Sequence, residues 1–153
     1  MGDRTLHRIL IVLTLVGIAI AGYLTYVHYE DLSPVCSTGG CERVQLSRYA
    51  KLAGVPVPLI GLVGYVAILA SLFVRGELAR LATAVMAYGG FAFSAYLTYL
   101  ELFEIDAICQ WCVGSAIVMT LIAIVATIRV LRASDDGVGD DLRRPIAADG
   151  EPV

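Results

Sequence analysis

The chain has 153 residues, 58% of them hydrophobic and 16% charged, and carries a net charge of −3. A soluble domain holds about a quarter charged residues, so this balance excludes an ordinary water-soluble globule and points to lipid. A weakly acidic chain with no basic stripe lacks the electrostatic footprint of a nucleic-acid binder, and the length allows one compact bundle.

Four runs without Asp, Glu, Lys or Arg reach the roughly 20 apolar residues that cross a hydrocarbon core: Ile9 to Val27, Val55 to Val74, Leu81 to Leu100 and Ile108 to Ile128. A charge at the bilayer centre costs at least ~2.5 kcal/mol, so four uncharged runs are a selected pattern. The predicted fold is an all-α integral membrane protein, a bundle of four transmembrane helices. The first run follows Arg4 and Arg8, and Ala19-Ile20-Ala21 resembles a signal cleavage site. It continues to Val27, longer than a signal's apolar region of ~7–15 residues, and is therefore predicted as a span. Cleavage would leave the other loops on the same sides.

The loop after the first span, residues 30–56, is predicted to carry turns at Pro34, Gly39 and Gly40. From Glu42 to Ala53 the pattern turns amphipathic, with Val44, Tyr49, Leu52 and Ala53 set against Arg43, Arg48 and Lys51. This predicts a short helix lying on the membrane surface. Pro56 and Pro58 suit the first turn of the second span. After the fourth span, residues 1–132 being the membrane domain, the acidic Gly- and Asp-rich segment 133–153 is expected to be a disordered cytoplasmic tail.

Lys and Arg in the short flanks set orientation. Arg4, Arg8, Arg75, Arg80, Arg129, Arg132, Arg143 and Arg144 fall on one side, Arg43, Arg48 and Lys51 on the other. Both termini are therefore expected in the cytoplasm, with all four cysteines on the outer side of the cell (inner) membrane. Tyr23, Tyr26, Tyr29, Tyr96 and Tyr99 are expected to form an interfacial belt at that side. Tyr23-Leu24-Thr25-Tyr26 precedes Cys36 by the same spacing as Tyr96-Leu97-Thr98-Tyr99 precedes Cys109. The echo reads either as a parallel repeat about the membrane normal or as a coincidence of two Tyr-rich belts.

Cys36 and Cys41 lie in the outer loop, and Cys109-Gln110-Trp111-Cys112 opens the fourth span. Outside the cytoplasm thiols tend to be oxidised. Three chemistries compete for these residues. Structural bridges between such near neighbours remove little chain entropy. A four-cysteine zinc site requires all the sulfurs to converge. Dithiol redox chemistry fits best, because Cys-x-x-Cys lowers thiol pKa and a helix N-terminus further favours the thiolate. An apolar pocket under Cys112 would suit a quinone, which accepts two electrons and keeps its tail in lipid.

Cys41-Glu42-Arg43-Val44-Gln45-Leu46-Ser47-Arg48-Tyr49, Gly61, Tyr65 and Cys109-Gln110-Trp111-Cys112 together resemble the vitamin K epoxide reductase family over about Ile9 to Val130. The resemblance implies a quinone-dependent thiol oxidase that forms disulfide bonds. A secreted or periplasmic thioredoxin-fold protein, acting in trans, would attack the loop disulfide at Cys36. Cys41 would then attack a Cys109–Cys112 disulfide at Cys109, and Cys112 would face a ubiquinone or menaquinone. The expected quinone pocket takes in Cys112, Ser47, Val57, Gly61, Tyr65, Trp111 and Ala116. No metal is expected.

Two positions depart from the family's epoxide-reducing animal members. Val57 stands where they carry Asn, and Ala116 where they carry Tyr. The loop cysteines are also closer together. These departures point to a prokaryotic quinone-linked disulfide-forming enzyme and away from an epoxide reductase, which stays as the enzyme alternative beside, outside enzymes, a membrane scaffold or zinc-binding protein with structural cysteines. Trp111 either packs on the quinone or anchors in the interface. His28 reads as a belt residue before a proton donor, Ser94 and Thr98 as bonded to their own helix, and Gly89-Gly90 as a site of close helix packing.

Overall fold

The computed structural model describes residues 2–37, 39–74 and 76–143. The chain runs through α1 (Asp3–Tyr29), α2 (Cys41–Leu46), a 3-10 turn (Arg48–Ala50), the hairpin strands β1 (Lys51–Leu52) and β2 (Val55–Pro56), α3 (Val57–Phe73), α4 (Glu77–Leu100), a π-helical turn (Glu101–Ile105) and α5 (Gln110–Arg143).

Among the described residues, three helices are long and apolar enough to cross a membrane: Asp3–Tyr29, Glu77–Ile105 and Gln110–Asp135. The remaining apolar helix, Val57–Phe73, has 17 residues, at the lower limit of a spanning length. The protein is a membrane protein built of apolar helices. Val12, Val16, Val63, Val66, Val85, Ile117 and Ile124 all stand outward and more than two-fifths exposed. A water-soluble fold would not leave so much apolar surface uncovered.

The inward face of α1 recurs at helical spacing, through Leu6, Leu10, Thr14, Gly17, Ala21 and Leu24. It packs on α3 and α5, and α4 packs on α5 and α3. The shared core holds Leu10, Tyr65, Ile68, Ala87, Met119 and Ile122. Polar side chains inside it satisfy themselves on their own helices. Thr14 Oγ1 donates to the Leu10 carbonyl at 2.7 Å and Thr83 Oγ1 to that of Ala79 at 2.8 Å. Thr83 also meets Ser71 Oγ at 2.7 Å, tying α4 to α3. At the end away from the cysteines, Asp3 accepts from Arg129 Nε at 3.0 Å and lies 3.9 Å from Arg80.

The chain departs from the sequence expectation in three places. The predicted surface helix over Glu42 to Ala53 is only α2, because Ser47 is extended (φ −66°, ψ 156°) and stops it. Lys51–Leu52 and Val55–Pro56 pair instead across Ala53 (φ 52°) and Gly54 (φ 86°), the two positive-φ positions of a tight hairpin turn. Helix α5 continues to Arg143, past Ala133, where disorder was expected; residues 144–153 of that tail, and Arg75, lie outside the described residues. Tyr26, Tyr29, Tyr96 and Tyr99 face outward, but Tyr23 turns inward and its ring lies 5.0 Å from that of Trp111.

Gly17 is required by close approach. A Cβ there would collide with the ring of Tyr65, which is held by hydrogen bonds to Ser115 at 2.9 and 3.0 Å. Overpacking a closed core costs ~1–3 kcal/mol. Gly17→Ala should therefore lower the melting temperature in detergent. Gly22→Ala, which meets nothing within 4 Å, should leave it unchanged or raise it, since Ala is favoured over Gly by up to ~1 kcal/mol in a helix. An equal loss in both variants would show that Gly17 is not a packing position.

Candidate functional site

All four cysteines gather at one end of the bundle. Cys36 and Cys41 form a disulfide with their Cα atoms 6.0 Å apart. Cys109 and Cys112 are free thiols, Cys109 buried and Cys112 half-buried. Cys41 is fully buried, while Cys36 keeps partial exposure.

The two residues inside the Cys-x-x-Cys fix the outer loop. Trp111 Nε1 donates to the Val35 carbonyl at 2.8 Å, and Gln110 Nε2 reaches the same oxygen at 3.4 Å. Gln110 Oε1 accepts from the Ser37 amide at 3.1 Å, and the Tyr23 hydroxyl accepts from that of Val35, also at 3.1 Å. The backbone on both sides of Cys36 is thereby gripped from α5 and α1. The neighbouring segment presses close as well. A Cβ on Gly40 would lie 2.5 Å from the Ile108 carbonyl oxygen, so only glycine lets the residue before Cys41 abut the residue before Cys109.

Cys109 stands immediately before α5. The Cys112 amide points at its sulfur at 3.4 Å, and its own amide donates to Glu101 Oε2 at 3.0 Å. The Cys112 thiol, which hydrogen-bonds Cys109, draws the Cys109 pKa below the ordinary thiol value, helped by the amides of the first helical turn and opposed by burial and by Glu101. A helix N-terminus favours a thiolate in this position.

Below Cys112 lies an apolar cavity of about 330 Å3, walled by α1, α3, α4 and α5, within the ~300–1,000 Å3 range of ligand pockets. Gly61, Gly64 and Gly89 border it with open space where a side chain would stand. Gly90, by contrast, packs closely against Met119, so of the Gly89-Gly90 pair only the second serves close packing.

Of the residues assigned to the pocket from sequence, Cys112, Val57, Gly61 and Tyr65 line this cavity. Ser47 borders a smaller one of about 50 Å3 that also touches Cys112, and its hydroxyl donates to the Val44 carbonyl at 2.7 Å. Trp111 is directed to the loop, and Ala116 is not on the cavity wall. Ser94, Thr98 and Ser115 are on it, with Thr98 donating to the Ser94 carbonyl at 3.0 Å. Glu101, 5% exposed and on the cavity wall, was missed from sequence because a carboxylate just after an apolar run reads as the end of the span. Its position eight residues before Cys109 was the available signal. His28 pairs edge-on with Tyr29. With Cys36 and Cys41 bonded to each other, the four sulfurs do not form a metal cage, and no such cluster occurs among the described residues.

The sequence model of the family described as the Vitamin K epoxide reductase family matches residues 8–127, most of the chain.

Removing the thiol that hydrogen-bonds Cys109 should raise its pKa. In Cys112→Ala, the pH at which Cys109 alkylates should therefore move up from that of the reduced wild type, read with the loop pair kept as a disulfide. An unchanged midpoint would show that Cys112 does not hold the Cys109 thiolate.

Proposed function

The chain belongs to the vitamin K epoxide reductase family, and on that premise we propose that it is a quinone-dependent thiol oxidase that makes disulfide bonds for a thioredoxin-fold partner acting in trans. The observation that carries this reading is the stack of three elements at one end of the bundle: a loop disulfide partly exposed at Cys36, a Cys-x-x-Cys with Cys109 buried and Cys112 half-buried, and an apolar cavity reaching Cys112.

The reaction is a sequence of thiol–disulfide exchanges. A partner thiolate attacks Cys36, the more exposed loop sulfur, and Cys41 leaves. Cys41 attacks Cys109 of the oxidised inner pair and releases Cys112. The partner's second thiol displaces Cys36 and departs as a disulfide. Cys36 then displaces Cys109 from Cys41. The loop pair is oxidised again and the inner pair holds the two electrons, which matches the cysteine states described above. The lowered pKa of Cys109 makes it a good leaving sulfur in that last exchange.

The cavity fits a quinone head: it is apolar, glycine-bordered, and meets a thiol. A bound ubiquinone or menaquinone would supply a two-electron acceptor. Cys112, Val57, Gly61 and Tyr65 would hold it, with Ser47 closing the neighbouring recess. We place the protein in the cell (inner) membrane with α1, α3, α4 and α5 spanning, both termini cytoplasmic and the cysteines outside, following the Arg and Lys distribution. The epoxide-reducing reading is weaker, because Val57 offers an apolar wall and Ala116 stands off the cavity.

Purified protein given a reduced thioredoxin-fold protein and a short-chain quinone should reduce the quinone. Cys112→Ala should abolish that turnover while leaving the loop disulfide reducible by the partner. Retained turnover in Cys112→Ala would remove the inner pair from the route.

A further inference from the structure

Two electrons reach the inner pair through sulfur, while protons move separately, because exchange proceeds through thiolates. Closing the Cys109–Cys112 bond releases two electrons, and converting a quinone to a quinol consumes those two electrons and two protons. The cavity that Cys112 meets is lined mostly by apolar side chains, which offer protons no route to water by themselves.

Glu101 has the geometry of that carrier. One carboxylate oxygen accepts the Cys109 amide at 3.0 Å, and Glu101 lines the same cavity wall as Cys112. The residue is 5% exposed. A second, open cleft of about 580 Å3 lies at the loop surface, bordered by Gly40, Arg43, Asp106 and Ile108. Of the residues lining the apolar cavity and this cleft, only Glu101 lines both. The π-helical turn Glu101–Ile105 and the left-handed Asp106 (φ 50°) that ends it return the chain to Cys109, placing the start of that turn against the start of α5.

We propose that Glu101 is the proton carrier of the inner site, passing protons between the open cleft and the Cys112 end of the apolar cavity. In its protonated form it donates toward the quinone oxygen as the electron pair leaves the dithiol, and becomes a carboxylate. It then takes the proton of one inner thiol, passes it to the second quinone oxygen, and is reset by the proton of the other thiol; a proton that a thiol has already given up to water returns through the cleft. Bonds and charges balance: one S–S bond forms, two S–H bonds are lost, two O–H bonds are made, and Glu101 ends as it began.

This rests on the quinone-dependent reading, and the test separates the two. Glu101→Gln keeps an oxygen to accept the Cys109 amide but cannot carry a proton. Two rates are read in full-length protein in detergent: steady-state reduction of a short-chain benzoquinone, and single-turnover exchange from the reduced loop pair to the oxidised inner pair without quinone. Wild type that fails to reduce the quinone defeats the functional reading itself. With an active wild type, Glu101→Gln is expected to lose at least tenfold in quinone turnover, to keep exchange within about twofold, and to lose the pH dependence that wild-type turnover shows. Glu101→Asp, which restores a titrating group, should recover part of the turnover with an altered pH profile. Wild-type turnover and pH profile in Glu101→Gln would overturn the proposal. So would an equal loss of both rates in Glu101→Gln with none recovered in Glu101→Asp, since that marks Glu101 as a structural anchor for Cys109.

Discussion

Gln110 and Trp111 grip the main chain on either side of Cys36, and the arrangement of the whole redox end follows from that grip. The loop has no long helix or sheet of its own; α2 has six residues and each hairpin strand two. Such a segment buries too little apolar area to hold a position by itself. It is held by hydrogen bonds from the start of α5, by the Tyr23 hydroxyl and ring from α1, and by the backbone contact of Gly40 with Ile108. Each net hydrogen bond contributes only ~1 kcal/mol, so the loop is fixed by several weak contacts rather than by one strong one. The residues between the two cysteines of the Cys-x-x-Cys therefore act as the seat of the other cysteine pair.

The second constraint is the separation of polar chemistry from lipid. Within the helices, Thr14, Thr83, Thr120 and Thr127 return their hydroxyls to the carbonyl four residues back, which satisfies them inside the apolar bundle; among the described residues, buried His7 Nδ1 near the start of α1 has no partner. At the cysteine end, Glu101 and Cys112 share one wall of the apolar cavity. Gly61, Gly64 and Gly89 leave open space along its wall.

Much of this was legible in the sequence and some was not. The apolar runs marked the helices because a hydrocarbon core tolerates few charges, and the cysteine spacing with the Ser-Arg-Tyr stretch marked the family. The hairpin was hidden because Glu42 to Ala53 carries a helical pattern of polarity, and only the backbone turn at Ala53 and Gly54 shows that the pattern is split between α2 and a strand pair. Trp111 was assigned to the pocket or to the interface; its indole serves the loop instead, a tertiary contact across 76 positions of sequence that local pattern does not encode. The echo of Tyr-Leu-Thr-Tyr does not give equal environments: Tyr23 holds Val35 and meets Trp111, whereas Tyr96 is exposed.

On the proposed route the loop brings Cys41 to Cys109, whose preceding residues Gly40 and Ile108 abut, and electrons pass between those two sulfurs. The most direct measurement is disulfide mapping by mass spectrometry of the double variant Cys36→Ser, Cys112→Ser after mild oxidation of membranes. Two fully buried cysteines with abutting backbone neighbours should close a Cys41–Cys109 bond within single chains. Free thiols at both positions, or bonds only between different chains, would contradict the account.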